Sequence, residues 1–138
     1  MASYNKFQAF VEALAEKLHN LGSDTLTVAL TAAANAPVAS NAVLADLTEI
    51  AYTNCSARAI TTSSSAQTAG TYKLVLADLT LSASGGVVGP FRYVVIYNDT
   101  ALNNELICWF DYGSEITLAD GEDLDIDFDG ANGLLQLV

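Results

Sequence analysis

The spacing of apolar residues changes at Gly22 from a helical period to an alternating one. Upstream of it, apolar residues recur every three or four positions, which is the spacing of one helical face. These residues are Phe7, Phe10, Val11, Leu14, Leu18 and Leu21. Asn5 is a suitable N-cap, and Gly22 suits the left-handed position after a last turn. The sequence therefore predicts an amphipathic helix over residues 5–21, with Gly22 beyond its end.

Downstream of Gly22 the pattern is typical of β-strands. Residues 91–97 are β-branched and aromatic, which predicts a central strand covered on both faces. The tract 61–70 lacks large apolar residues and predicts an exposed loop or a weak edge, while 45–51 fits either a short strand or a helical turn. Further strands are predicted over 24–31, 72–81, 105–112, 124–128 and 134–138.

No helical pattern separates these strands, so a parallel sheet is disfavoured. The expected fold is mainly β: a single antiparallel β-sandwich, of jelly-roll or immunoglobulin-like type, preceded by the N-terminal amphipathic α-helix. We assign residues 1–22 to the helix, which packs on the domain or on a neighbour. Residues 23–138 form the sandwich, within one structural domain overall.

The charge of the chain is strongly one-sided. Sixteen acidic residues face five basic ones, and the formal net charge is −11. Such a chain is repelled by nucleic acid and by anionic membranes, and is attracted to basic protein surfaces. No apolar run reaches the length of a membrane span, and residues 1–6 do not resemble a secretion signal. We expect the protein to be made and kept in the cytosol, or to leave the cell only as part of something larger, without direct contact with nucleic acid or a membrane.

Metal and disulfide chemistry find little support in the sequence. Asp125, Asp127 and Asp129 match the opening of a calcium loop, but its twelfth position is Gln136, which cannot supply the bidentate carboxylate. A solvated strand is the preferred interpretation, and a weak divalent site between subunits is the alternative. Cys55 and Cys108 are expected as buried thiols, or as a disulfide formed after release from the cell. No metal and no cofactor are predicted.

Catalytic motifs are absent from the sequence. His19 is the only histidine, so a Ser/His/Asp arrangement would have to use it, and its expected place in the last helical turn would favour its charged form. The carboxylates that could serve a glycosidase flank one acidic turn: Glu115, Asp120, Glu122 and Asp123. Trp109 and Tyr112 lie near them and leave sugar binding open as an alternative. We predict no catalytic residues and no enzymatic activity.

Several segments resemble a group of tailed-bacteriophage virion proteins. They are 3–15, 24–31, 36–39, 45–50, 89–99 and 109–114, and together they extend over most of the chain. The segment 55–60 departs from the pattern, because a Gly-rich turn is expected there. The resemblance implies a capsid decoration or cement protein, commonly a homotrimer, that binds the major capsid protein on the capsid surface of the virion.

Two other roles stay open from the residues alone. One is a carbohydrate-binding or host-recognition module of a tail fibre, and the other is a tail-tube or connector subunit. The residues predicted to form interfaces are Phe7, Phe10, Val11, Leu14, Leu18, Trp109 and Tyr112.

Overall fold

A computed structural model describes residues 2–138 as a mainly β protein with one N-terminal helix. The helix is α1 (Gln8–Ala15), and short 3₁₀ turns occupy Ala33–Asn35 and Leu44–Asp46. The strands are β1 (Tyr4–Lys6), β2 (Leu26–Thr31), β3 (Ala59–Ile60), β4 (Thr62–Thr68), β5 (Thr71–Leu76), β6 (Leu79–Ser82), β7 (Val88–Asn98), β8 (Leu106–Leu118), β9 (Asp123–Ile126) and β10 (Leu135–Leu137).

The strands form three antiparallel sheets. The largest has the order β1-β8-β7-β2-β3, the second has the order β10-β5-β4, and the third pairs β6 with β9. The predicted β class, the antiparallel pairing and the N-terminal helix are confirmed. The division into three sheets was not predicted, because the alternating pattern identifies strands without specifying which strands pair.

The main core contains residues of all three sheets. Val28 and Ile96 of the large sheet share it with Leu74 of the second sheet and Leu81 of the third, and all four are inaccessible to solvent. Phe10 of α1 belongs to the same core. The helix therefore packs on its own domain.

A second, smaller core covers the opposite face of the large sheet. Ala29, Val95 and Tyr97 contribute its sheet side, and Phe7 is completely buried against them. The Trp109 ring lies 4.6 Å from the Phe7 ring, centroid to centroid. Leu44 and Leu47 pack on the same cluster. The prediction that β7 is covered on both faces is thus confirmed.

Strand β2 is more buried than its alternation predicts. All six of its residues are buried, including Thr27 and Thr31. Leu26, Val28 and Leu30 belong to the main core, and Ala29 belongs to the second core. Alternation identified the strand but could not reveal that both of its faces are covered.

The helix is shorter than predicted, and both of its ends lie at other residues than expected. Asn5 lies in β1 opposite Trp109, so Phe7 occupies the N-cap position without a side-chain cap. Lys17 adopts the left-handed conformation, with φ of 72°, and Leu18 N–H donates to the Ala13 carbonyl. This closing turn takes the role that was predicted for Gly22, so Leu18 lies outside the helix.

Other segments resolve the remaining predictions. The tract 61–70 contains β4, an edge strand as expected. The segment 45–51 contains no strand, and the 3₁₀ turn Leu44–Asp46 overlaps its start. The strand predicted over 72–81 is divided into β5 and β6, because Ala77 N–H donates to the Thr61 carbonyl and the Asp78 carboxylate accepts the Phe128 N–H. Residues 59–60 of the divergent segment pair with β2.

We predict that Phe7→Ala lowers the free energy of unfolding by about 3–5 kcal/mol, because it empties the centre of the second core. Val11→Ala, at a position that is 52% exposed on the same helix, should change it by less than about 0.5 kcal/mol. Urea denaturation of both variants measures the difference. Equal and small losses of unfolding free energy in both variants would show that burial of Phe7 in the second core does not stabilise the fold.

Candidate functional site

Two surface depressions share Val43 as a lining residue, and one of them lies beside helix α1. The first, about 210 Å³, runs between the helix and residues 42–43 and 105–106 and is called here the helix groove. Its helix side consists of Ala9, Glu12, Ala13 and Glu16, with Leu18 also lining it. The second, about 500 Å³, is a shallow basin bordered by residues 43–49 and 103–104.

Backbone hydrogen bonds hold the walls of the helix groove together. Gln8 N–H donates to the Ala39 carbonyl at 2.9 Å, which connects the start of α1 to the loop that leads to residues 42–43. Leu106 N–H donates to the Ala42 carbonyl, and Val43 forms an isolated antiparallel bridge with Glu105. The groove is therefore built from three segments that are fixed to one another.

The predicted interface residues have very different environments. Phe7 and Phe10 belong to the two cores of the chain, so they present no surface to a partner. Val11 and Leu18 are half exposed, at 52% and 50%, and Leu18 lines the helix groove. Leu14 packs partly on the main core. The surface available for docking near α1 thus consists of Val11, Leu18 and the groove.

The aromatic residues predicted on β8 are divided between core and surface. Trp109 is half-buried and stacks on Phe7, whereas Tyr112 is exposed. A sugar-binding platform uses exposed rings, and here the larger ring is engaged by the chain itself. Of the two aromatic side chains that left sugar binding open, Tyr112 is the exposed one.

The acidic turn uses its carboxylates to hold backbone. Glu115 accepts a hydrogen bond from Ala33 N–H, Asp120 accepts one from Gly85 N–H, and Glu122 accepts one from Ala119 N–H. These bonds brace the turns that connect strands. The arrangement gives each of the three a structural role.

The C-terminal aspartates behave in a similar way. Asp125 accepts a hydrogen bond from Thr80 Oγ1 across the β6–β9 pair. Asp129 accepts hydrogen bonds from the Ala131 and Asn132 backbone and from the Asn132 amide, and the bonds from Asn132 lead in lowering its pKa. Across residues 2–138, no group of three or more His, Cys, Asp or Glu side chains is arranged to hold a metal ion.

His19 lies in a buried polar network beyond the end of α1. Asn98 donates through its side-chain amide to His19 Nδ1 at 3.0 Å and to Asp24 Oδ2 at 2.7 Å. Burial lowers the His19 pKa, and the nearby carboxylates of Glu105 and Asp24 oppose this effect. The expectation that the helix dipole would favour a charged imidazole is wrong, because the helix ends four residues earlier.

This network contains ionisable groups but does not line a cleft. His19 is only 6% exposed and borders neither of the two depressions. Its Nδ1 accepts a hydrogen bond from Asn98, and its Nε2 is buried without a partner among the described residues. These hydrogen bonds connect His19 and Asp24, which follow α1 in the sequence, to Asn98 at the end of β7.

Three of the five basic side chains are engaged within the chain. Arg92 forms two hydrogen bonds with the Asp111 carboxylate across β7 and β8, at 2.8 and 3.0 Å. Arg58 lies over the Tyr52 ring and donates to the Val28 carbonyl. Lys73 donates to the Ala131 carbonyl. The unmatched acidic side chains therefore dominate the surface.

Both cysteines are free thiols. Cys108 is fully buried in β8 and Cys55 is half-buried, and burial raises the pKa of both. The prediction of a pair of buried small side chains is thus confirmed for Cys108 and partly for Cys55.

Comparison with known proteins gives no match to any family model, curated protein or solved structure. Over residues 2–138, no helix has the length and apolar character needed to cross a membrane.

Sequence reasoning missed the loop wall of the helix groove and the partner of His19. Residues 42–43 fall in a stretch whose Ala, Asn and Ser content predicts only a loop. The pairing of His19 with Asn98 joins residues that are 79 positions apart. The apolar pair Val43-Leu44 inside the polar loop was the available signal that this loop packs on the domain.

We predict that the free energy of unfolding falls as the pH is lowered from 7 to 5. The His19 pKa is lower in the folded chain than the value of about 6.5 in the unfolded chain, so unfolding takes up a proton in this range. The slope reaches at most about 1.4 kcal/mol per pH unit. Urea denaturation at several pH values should show this slope in the natural chain and a flatter profile in His19→Gln.

Aspartates whose pKa is lowered, such as Asp111, act in a different pH window. Their contribution to stability is present above the unfolded-state pKa of about 3.9 and is lost as the pH falls below it.

The slope of the free energy of unfolding between pH 7 and 5 is compared in the natural chain and in His19→Gln. An identical slope in both proteins would contradict the assignment to His19.

Proposed function

We propose that the chain is a structural protein of a tailed-bacteriophage head, which decorates the capsid surface by binding the major capsid protein. The resemblance of its segments to phage virion proteins motivates this role. The observation that carries it is the helix groove, where the half-exposed Leu18 lies next to Glu12 and Glu16. Apolar contact area framed by charge is typical of a protein docking surface.

The fixed position of α1 supports this role. Phe10 and Ala13 anchor the helix to the domain, and Phe7 anchors its start in the second core. A docking surface that is already ordered loses little conformational freedom on binding. A protein that coats a shell in many copies benefits from such a preformed contact.

The charge of the surface indicates the nature of the shell partner. Arg58, Lys73 and Arg92 are engaged within the chain, so the partner encounters mainly carboxylates. We propose that the contacted face of the major capsid protein presents Lys or Arg around an apolar patch. Attraction to such a face would weaken with added salt.

We further propose that the large sheet and the two smaller sheets act together as one β-sandwich, with the main core as its filling. Residues of all three sheets meet there. We propose no enzymatic role, since the carboxylates that suggested one hold backbone turns. A domain with a packed core and with turns held by side-chain hydrogen bonds suits a protein whose task is to resist force and proteolysis.

Cryo-electron microscopy of virions from the encoding phage tests the proposed location. We expect density that fits residues 2–138 on the outer surface of the head, with α1 facing the major capsid protein. Density for this chain confined to the tail would contradict the proposal.

We predict that Leu18→Glu reduces occupancy of the head at least about tenfold, because it places charge in the apolar part of the helix groove. Val87→Glu is the matched control. Val87 is 58% exposed and directly precedes Val88, the first residue of β7. Occupancy is measured by gel densitometry of purified virions. Equal occupancy for all three proteins would show that the helix groove is not the docking surface.

A further inference from the structure

Strand β4 leaves one edge open. It is the last strand of its sheet, and β5 is its pairing partner. Within the described part of the chain, no second strand pairs with it, so alternate N–H and C=O groups of β4 point away from the sheet. Such an edge is a template for another strand.

The usual protections of an edge strand are missing from β4. Its sequence is Thr-Ser-Ser-Ser-Ala-Gln-Thr, and no charged residue or proline occurs between residues 59 and 72. Natural edges are commonly blocked by lysine, proline or a bulge. The register shift in β4 lies at its beginning, between Thr62 and Ser64, so residues 64–68 pair regularly with β5.

The hairpin that presents β4 is tightly closed. Ala69 and Gly70 connect β4 to β5 and both have positive φ, 49° and 85°, as in a two-residue type I′ turn. Ser65 and Tyr72 are joined across the pair by a hydrogen bond of 2.8 Å between their hydroxyl groups. The open edge is therefore held in a fixed, extended form.

The absence of charged residues from β4 favours a second copy of this chain as the partner of this edge. Two copies with a net charge of −11 repel each other, so they approach most easily where carboxylates are absent. Strand β4 is the longest charge-free strand with an open edge. A basic partner would instead favour an edge that carries acidic side chains, which β4 lacks.

We propose that β4 pairs antiparallel with β4 of a second copy of this chain, around a two-fold axis. The two three-stranded sheets then become one sheet in the order β10-β5-β4-β4-β5-β10. An antiparallel pair of identical strands is self-complementary, as a two-fold interface requires. Facing Ser and Thr side chains add cross-strand hydrogen bonds.

This interface is distinct from the helix groove that is proposed to meet the shell. It also predicts a dimer, whereas the resemblance to phage virion proteins implies a trimer. A monomeric or trimeric protein in solution would overturn the β4 pairing and leave the shell proposal standing, because head occupancy is measured separately.

Sedimentation equilibrium of Ser64→Glu and Ser114→Glu tests the pairing. Both serines are exposed strand residues, Ser64 on β4 and Ser114 on β8, and each substitution adds one negative charge. We expect a concentration-dependent dimer for the natural chain and for Ser114→Glu. For Ser64→Glu the dissociation constant should rise at least about tenfold, because carboxylates enter the paired edge.

Amide hydrogen exchange at two protein concentrations supplies the second measurement. Exchange over residues 62–68 should slow at the higher concentration in the natural chain and in Ser114→Glu, but not in Ser64→Glu. The thermal midpoint of each variant verifies its fold. A dimer that is equally stable in both variants, or exchange over 62–68 that is independent of concentration, would overturn the proposal.

Discussion

Burial of both faces of the β2–β7 pair is the constraint on which the rest of the structure depends. One face meets the main core, and the other is closed by Phe7, Trp109 and the 44–47 turn. Because Phe7 directly precedes α1 and follows β1, its burial fixes the helix, the first strand and the helix groove at once. A loss of this one contact would release β1 and α1, which are adjacent in the sequence, and with α1 one wall of the helix groove.

Two-sided burial also limits the chemistry of the chain. An open sheet face can form the floor of a binding cleft, whereas here both faces of the central strands are filled with side chains. Of the buried ionisable side chains, His19 accepts a hydrogen bond from Asn98, and Glu105 accepts hydrogen bonds from Asn103. What the surface offers is acidic charge, the helix groove and the open edge of β4, all of which suit contacts between proteins.

Much of the architecture could be predicted from local pattern. The helical spacing of Phe10 and Leu14 and the β-branched run of β7 led to the right elements, because both patterns reflect burial along a single element. The helix end was misplaced, since the left-handed position fell to Lys17, a residue with no preference for it. Pairing between strands depends on contacts across the chain, so the division into three sheets had no signal in the pattern.

The candidate site was predicted less well than the fold, for a related reason. Helical spacing grouped Val11 with Phe10, but the structure buries Phe10 in the main core and exposes Val11. Spacing alone cannot tell which apolar side chains fill the interior and which are left over for a partner. That distinction depends on contacts between distant parts of the chain, such as those that place Phe10 in the main core.

Native-state hydrogen exchange, measured residue by residue, tests the two-sided burial most directly. Amides of β2 and β7 should exchange through global unfolding alone and be the slowest in the chain, with those of the β6–β9 pair exchanging faster. Exchange in β2 and β7 as fast as in the β6–β9 pair would show that one face of the large sheet is not closed, and would contradict the account.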